Sequence, residues 1–231
     1  MPATPPATST TIVTTLTARA LLLDMDGTLV DSGPAVERVW RRWAADHGLD
    51  GDRVMGVVHG RQGFASMAIL LPDRPMEQNH EENARMLALE TVDTDGVTAI
   101  GGAASFLASL GGLPHALVTS ADDALARARM DAAGLGLPPV VVTAEHVTLS
   151  KPEPEGFLLG ASLLGRTPEE CVVFEDSEAG VAAGLAAGMR VVGVGRATAA
   201  YGATVSVDSL EQVTVLAEPD GTLVVTVTVT D

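Results

Sequence analysis

Leu21-Leu22-Leu23-Asp24-Met25-Asp26-Gly27-Thr28-Leu29-Val30-Asp31-Ser32 runs from an apolar segment into two carboxylates and a turn. Three consecutive leucines have the composition of a strand buried inside a parallel sheet. On a regular strand Asp24 and Asp26 share one face and Met25 takes the other. Gly27 then frees the backbone to turn. Two acids at the carboxyl end of a strand stand where open α/β sheets place ligands. Like charges held close raise one pKa, so one acid stays ionised while the other keeps a proton. That is the equipment of a nucleophile beside a general acid/base. The competing reading is a surface Asp-Gly turn, and the rest of the chain decides between the two.

Outward from this stretch, strand-like and helix-like segments alternate, which predicts an α/β fold with a mainly parallel sheet. Core strands are expected at residues 20–25, 115–119, 140–143, 171–175 and 190–194, and helices at 102–110, 122–133, 153–164 and 177–187. Gly134, Gly165 and Gly188 follow the last three helices as stop signals. Residues 32–99 break the rhythm with helical patterns only. Ser32 is an N-cap candidate and Pro34 suits a first turn. Val36, Val39, Trp40, Trp43 and Ala44 recur at helical spacing up to Gly48. Two further helices are expected near 62–71 and 76–91. The tryptophans fit the apolar stripe and read as packing anchors. An insertion directly after the paired aspartates is well placed to act as a lid. The Val/Thr-rich segments 11–16 and 222–230 predict antiparallel strands beside the main sheet, paired with each other.

Length and charge narrow the function classes. At 231 residues the chain suits one large domain or a domain with an insertion, and 46% hydrophobic residues support a substantial core. A formal net charge of −16 argues against nucleic acid or an anionic membrane surface as a partner. An anionic substrate would need a local positive site or a metal. The single cysteine, Cys171, excludes an intrachain disulfide and suits a cytoplasmic protein. It lies in an apolar run where a buried, inert thiol is expected. Residues 1–9 read as a loose Pro/Ala/Thr tail without the features of a secretory signal. No apolar stretch is long enough to span a bilayer.

Further chemistry sits at later strand ends. Thr119-Ser120 offers hydroxyls and backbone N–H groups at a strand-to-helix turn, an arrangement that holds an anion or caps a helix. Of the 14 Lys and Arg residues, Lys151 is the single lysine. A chain that otherwise uses arginine keeps one compact ammonium there, just before Pro152. Glu175-Asp176 repeats the pattern of acids after a strand. Hard oxygen ligands from Asp24 and Asp176, with a backbone carbonyl between, suit magnesium. His47, His80, His115 and His146 are isolated, with no spacing that points to zinc.

Asp24-Met25-Asp26-Gly27-Thr28, Thr119, Lys151-Pro152 and Glu175-Asp176 together resemble, in order, the four signature motifs of the haloacid dehalogenase superfamily. The resemblance runs from about residue 20 to residue 194. It implies a Rossmann-like core of residues 1–31 and 100–231 with a helical cap domain, residues 32–99, inserted in it. The segments Asp31-Ser32-Gly33-Pro34, His59-Gly60-Arg61-Gln62 and Gly180-Val181-Ala182-Ala183-Gly184 are similar to bacterial sugar- and hexitol-phosphate phosphatases and to yeast-type glycerol-phosphate phosphatases. The resemblance implies Asp24 as nucleophile forming an aspartyl-phosphate and Asp26 as acid/base. It further implies Thr119, Ser120 and Lys151 as phosphate-binding groups. Mg²⁺ would be held by Asp24, the Asp26 backbone oxygen and Asp176, with Glu175 in support. Ser150 departs from the family, which usually has glycine before the lysine.

The core meets only phosphate and metal, so substrate choice falls to the cap. There His59, Arg61 and Gln62 form a polar cluster able to hydrogen-bond a sugar or polyol. The expected partner is a small phosphorylated sugar or polyol, acted on by a monomer or weak homodimer. A mutase of the β-phosphoglucomutase kind shares the motifs, and a non-catalytic phosphosugar-binding regulator is the reading from another class. Asp26 argues against a dehalogenase, and a cap without lysine against a phosphonatase.

Overall fold

A computed structural model describes residues 11–230; the tail expected over residues 1–9 lies outside the described residues. In chain order the elements are β1 (Thr11–Ala18), β2 (Ala20–Leu23), β3 (Val30–Asp31), α1 (Gly33–Asp46), α2 (Gly51–Val58), α3 (Gly63–Leu70), α4 (Met76–Val92) and β4 (Thr98–Ala99). They continue with α5 (Ala103–Leu110), β5 (His115–Val118), α6 (Asp123–Ala132), β6 (Val140–Val142), α7 (Glu155–Leu163), β7 (Cys171–Glu175) and α8 (Glu178–Ala186). The chain closes with β8 (Arg190–Val194), β9 (Val205–Val207), β10 (Val213–Ala217) and β11 (Leu223–Thr230).

Six strands form one sheet in the order β6-β5-β2-β7-β8-β9. Every pairing in it is parallel. Alternation along each strand sends side chains to opposite faces. Leu21, Leu23, Leu117, Val172, Phe174 and Val192 join the core on the side of α5 and α6. Leu22, Ala116, Val118, Val173 and Val191 join the core on the side of α7 and α8. Covering both faces is what a parallel sheet requires, and each fully buried Leu or Phe contributes about 1.5–3 kcal/mol.

β2 stops one residue before Asp24. Met25, with 0% exposure, packs into the core, while Asp26 bridges to Val30 in a tight turn. Both aspartates therefore lie beyond the regular strand rather than on it. Gly27 has φ +84°, and a Cβ there would fall 1.9 Å from Asp176 Oδ2. Glycine is required at this position for its backbone conformation and for its close neighbour.

Helices α1 to α4 enclose a separate apolar cluster of Trp40, Trp43, Ala44, Val54, Val58, Met67, Leu70 and Met86. The tryptophan rings meet edge to face with centroids 5.4 Å apart, as packing anchors. Ser32 stands at the N-cap of α1 with Pro34 in the first turn, but its side chain makes no capping bond. Helix α2 was not expected from the sequence: Gly51, Gly56 and three valines have weak helix propensity. Its start is secured by Asp50, which accepts from the Arg53 N–H at 2.8 Å.

The terminal strands do pair with each other, Thr11 opposite Thr230 and Leu16 opposite Val225. They form a three-stranded antiparallel sheet with β10 rather than extending the main sheet. Its inner side chains Leu16, Val215, Leu223, Val225 and Val227 share the core with α5 and α6. Cys171 is fully buried, and burial pushes its thiol up to about 11, the inert thiol expected. Among the described residues no helix is long and apolar enough to cross a membrane.

Val225 has 0% exposure at the centre of the small sheet, whereas Leu216 has 67%. Val225→Ala should cost about 2 kcal/mol through lost burial and the cavity left behind. Leu216→Ala should change stability by less than about 0.5 kcal/mol. Urea unfolding of both variants checks the contrast, and equal losses would contradict this packing.

Candidate active site

The carboxyl edge of the parallel sheet gathers side chains from four separate loops. Lys151, 7% exposed, reaches under the end of β2, and its Nζ donates to Asp24 Oδ1 at 2.5 Å and to Glu175 Oε1 at 2.8 Å. A third contact goes to the Val118 carbonyl at 3.3 Å, and the ammonium sits 5.0 Å from the centroid of the Phe157 ring. Glu175, with 0% exposure, also accepts from the backbone N–H and the hydroxyl of Ser177 at 2.8 and 3.0 Å. A Cβ at Gly180 would lie 1.6 Å from Glu175 Oε1, so the bare first turn of α8 makes room for this carboxylate. Ser177 in turn caps α8 by accepting from the Gly180 N–H at 3.0 Å. Ser150 carries no positive φ, so serine takes the usual glycine position without backbone strain. Its carbonyl accepts from the Glu153 N–H at 3.0 Å, closing the turn that presents Lys151.

Three acids surround one cation here. Asp24, Glu175 and Asp176 each offer an oxygen, all within 4.8 Å of one another. Burial pushes Asp24 up to about 8, with Glu175 and Asp26 adding to the rise and Lys151 opposing it. Burial, then Glu175 and Asp24, raises Asp176 well above the ordinary carboxylate range. Burial alone would depress the Lys151 ammonium, but Asp24 and Glu175 outweigh it and hold it protonated. Asp176 Oδ1 is buried and has no hydrogen-bond partner among the described residues. An unpaired buried carboxylate oxygen beside two further acids, all hard donors, fits a divalent cation. Both oxygens of Glu175 are already engaged, which sets it behind Asp24 and Asp176 as a ligand.

A cavity of about 290 Å³ opens above this edge, lined by Asp24, Asp26, Thr119, Ser120, Arg129 and Asp176 from below and by Trp40, His59, Arg61, Asn83 and Glu90 from the helical segment. Thr119 Oγ1 accepts from the Ala121 N–H at 3.1 Å and keeps its own proton to donate. Ser120 Oγ instead donates to the Gly60 carbonyl at 3.2 Å. A Cβ at Gly60 would lie 2.0 Å from Ser177 Oγ, so this loop rests directly on the core. His59 and Arg61 reach the cavity. Gln62 does not: it is 5% exposed, lies outside the cavity lining, and donates to the Ala144 carbonyl at 3.3 Å.

Two cavity residues escaped the sequence reading. Arg129, on α6, donates to Asp26 Oδ2 at 2.7 Å and to Glu90 Oε2 at 2.5 Å. Glu90 ends the buried stripe of α4, and burial, only partly offset by Arg129, pushes it up to about 7. The available signal was a charge on an apolar helix face: Arg129 shares its face with Leu125, Ala126 and Met130.

The raised acids make stability depend on pH. Glu90 holds its proton in the folded state up to about pH 7, whereas the unfolded chain releases it near 4.5. Its contribution is therefore complete below pH 4.5 and lost as pH rises through about 7, a loss of roughly 3 kcal/mol. In chelator, melting temperature should fall from pH 5 to pH 8, and Glu90→Gln should flatten that fall. A divalent cation at about 100 times its Kd should return roughly 2.7 kcal/mol at pH 8. A melting temperature that rises with pH and ignores divalent cations would contradict this charge distribution.

Comparison with known proteins agrees with the geometry. Residues 18–188 match the family described as haloacid dehalogenase-like hydrolase. Hexitol phosphatase A of Escherichia coli (strain K12) is 45% identical over 213 residues, covering 90% of this chain and 98% of that protein. Glycerol-1-phosphate phosphohydrolase 2 of Saccharomyces cerevisiae is 34% identical over 80% of this chain and 78% of its own length. A crystal structure of a HAD family hydrolase from Deinococcus radiodurans R1 with bound phosphate and sodium is 30% identical with a TM-score of 0.59, covering 82% of this chain and 90% of that one. The chain belongs to the haloacid dehalogenase-like hydrolases.

Proposed function

We propose that this hydrolase is a magnesium-dependent phosphatase of small sugar or polyol monophosphates, acting through an aspartyl-phosphate on Asp24. The observation that carries the reading is the convergence of Asp24 and Asp176 at the floor of one small cavity, with the single lysine, Lys151, bonded to Asp24 behind it. Relatives named as hexitol and glycerol-1-phosphate phosphatases support the substrate class. In this reading residues 1–31 and 100–231 form the catalytic core and residues 32–99 a cap over it. The protein works in the cytoplasm as a monomer or weak homodimer, on small molecules rather than nucleic acid or membrane.

Asp24 attacks phosphorus with a carboxylate oxygen, and the bond to the alkoxide oxygen breaks. Asp26 gives that oxygen its proton, and the alcohol leaves. Asp26 then takes a proton from water, which attacks the same phosphorus. The phosphorus–Asp24 bond breaks, releasing inorganic phosphate and restoring the carboxylate. Lys151 and the Thr119 hydroxyl stabilise charge on the transferring oxygens, and Ser120 serves there once released from Gly60. Asp24, Asp176 and the Asp26 backbone oxygen would hold Mg²⁺, with Glu175 orienting Lys151 behind them. When bound, the cation neutralises phosphoryl charge and favours the ionised form of Asp24. His59 and Arg61 face the substrate hydroxyls, and Gln62 supports them by fixing the loop to Ala144.

Phosphate release should be measured on hexitol, hexose, deoxyhexose and glycerol phosphates, with and without Mg²⁺. Turnover should require the metal, and Asp24→Asn should lower it by at least about 10⁴-fold while leaving the melting temperature near that of the parent protein. Isomerised sugar phosphate without free phosphate would replace hydrolysis by a mutase reaction. Activity surviving in Asp24→Asn would exclude the covalent route. Arg61→Ala should alter preference among the esters more than metal dependence, and uniform losses would remove it from substrate selection.

A further inference from the structure

Arg129 is a cation placed where α6 otherwise buries Leu125, Ala126 and Met130, and its side chain is 5% exposed. Leucine or methionine would suit that surface, and buried ion pairs are weak sources of stability. Its two terminal nitrogens make two different connections. One holds Asp26 Oδ2, and this is the only hydrogen bond to the Asp26 carboxyl among the described residues. The other holds Glu90, in the last turn of α4, where the helical segment returns to the core. Asp26 and Glu90 have no direct bond to each other. A planar guanidinium bonded at both ends has little freedom to rotate, so it transmits the position of one partner to the other.

We propose, building on the phosphatase reading above, that Arg129 is a positioning residue that aims the Asp26 carboxyl for proton transfer. Glu90, at its other end, makes that aim depend on the helical segment being seated on the core. The seating is itself marked by the Gly60 loop against Ser177 and by the bond from Gln62 to Ala144. Proton transfer to the leaving oxygen is thereby tied to a covered cavity. Alkyl esters, whose alkoxides cannot depart unprotonated, need this aim; p-nitrophenyl phosphate, whose phenolate leaves without a proton, does not.

The test compares kcat/KM on a hexitol 6-phosphate and on p-nitrophenyl phosphate, both with saturating Mg²⁺. Arg129→Met should lower the first by about 100-fold, a typical share for a general acid, and the second by less than about 5-fold. The hexitol phosphate KM should stay within about 3-fold, since the loss falls on the chemical step. Glu90→Leu, which cannot accept from Arg129, should shift the ratio in the same direction by about 5- to 10-fold. If circular dichroism shows that Arg129→Met fails to fold, the double variant Arg129→Met/Glu90→Met removes both buried charges, and the same ratio is read there. Equal losses on the two esters would overturn the positioning role. An unchanged ratio in Glu90→Leu would overturn the link to the helical segment. A parent protein inactive on both esters would instead overturn the phosphatase reading itself, and this inference with it.

Discussion

One ammonium makes the catalytic edge possible. Asp24, Glu175 and Asp176 crowd within a few ångströms at the end of a sheet whose interior is hydrocarbon. Without compensation such carboxylates would bind protons or force the loops apart. Lys151 holds two of them from beneath, and the N-terminal turn of α8 with Ser177 satisfies the rest of Glu175. What stays unsatisfied among these three acids is Asp176 Oδ1, on a residue that lines the cavity. An oxygen donor is thus left free at the site where a cation belongs. The glycines follow from the same constraint. Gly27 and Gly180 stand where any Cβ would strike the Asp176 or Glu175 carboxylate, so the acids can approach only because those positions lack side chains.

Much of this arrangement was legible because it rests on short-range rules. Apolar runs ending in acids or hydroxyls marked β2, β5 and β7, and glycines of positive φ closed α6, α7 and α8 at Gly134, Gly165 and Gly188. Motif residues more than a hundred positions apart converge because a parallel sheet puts all its carboxyl ends on one edge. The misses have equally physical causes. Helix α2 is held by a cap and by tertiary packing of Val54 and Val58, which outweigh its poor propensity. Strands β9 and β10 are short and take their identity from neighbours. Arg129 and Glu90 were hidden because a sequence reveals a charge on an apolar stripe but not the partner that makes it tolerable. His59, Arg61 and Gln62 looked like one cluster, yet the loop sends two side chains to the cavity and the third to the Ala144 carbonyl.

The helical segment meets the core through a few polar points and a small apolar contact. Gly60 presses on Ser177 and accepts from Ser120, Gln62 reaches Ala144, and Glu90 meets Arg129. Most of its buried apolar side chains form a cluster of their own around Trp40, Trp43 and Met67, while Ala35, Leu87 and Val97 pack with the core on the side of α5 and α6. A segment whose main apolar cluster is its own can part from the core while exposing only a small hydrocarbon contact, which suits a cover that must admit and release a solute.

The small sheet has a consequence for how the chain comes together. Its central strand, β11, is the last described element to be made, and its partner β1 is the first. During synthesis Leu16 and Ala18 must wait until Val225 and Leu223 have been made before they are covered. Contacts of such long sequence separation form slowly, and the waiting strand is an open edge for association with other nascent chains. Thr11, Thr15 and Thr17 on β1, with Thr226 and Thr228 on β11, lie on the face opposite buried Leu16 and Val225 and make much of that face wettable during the interval.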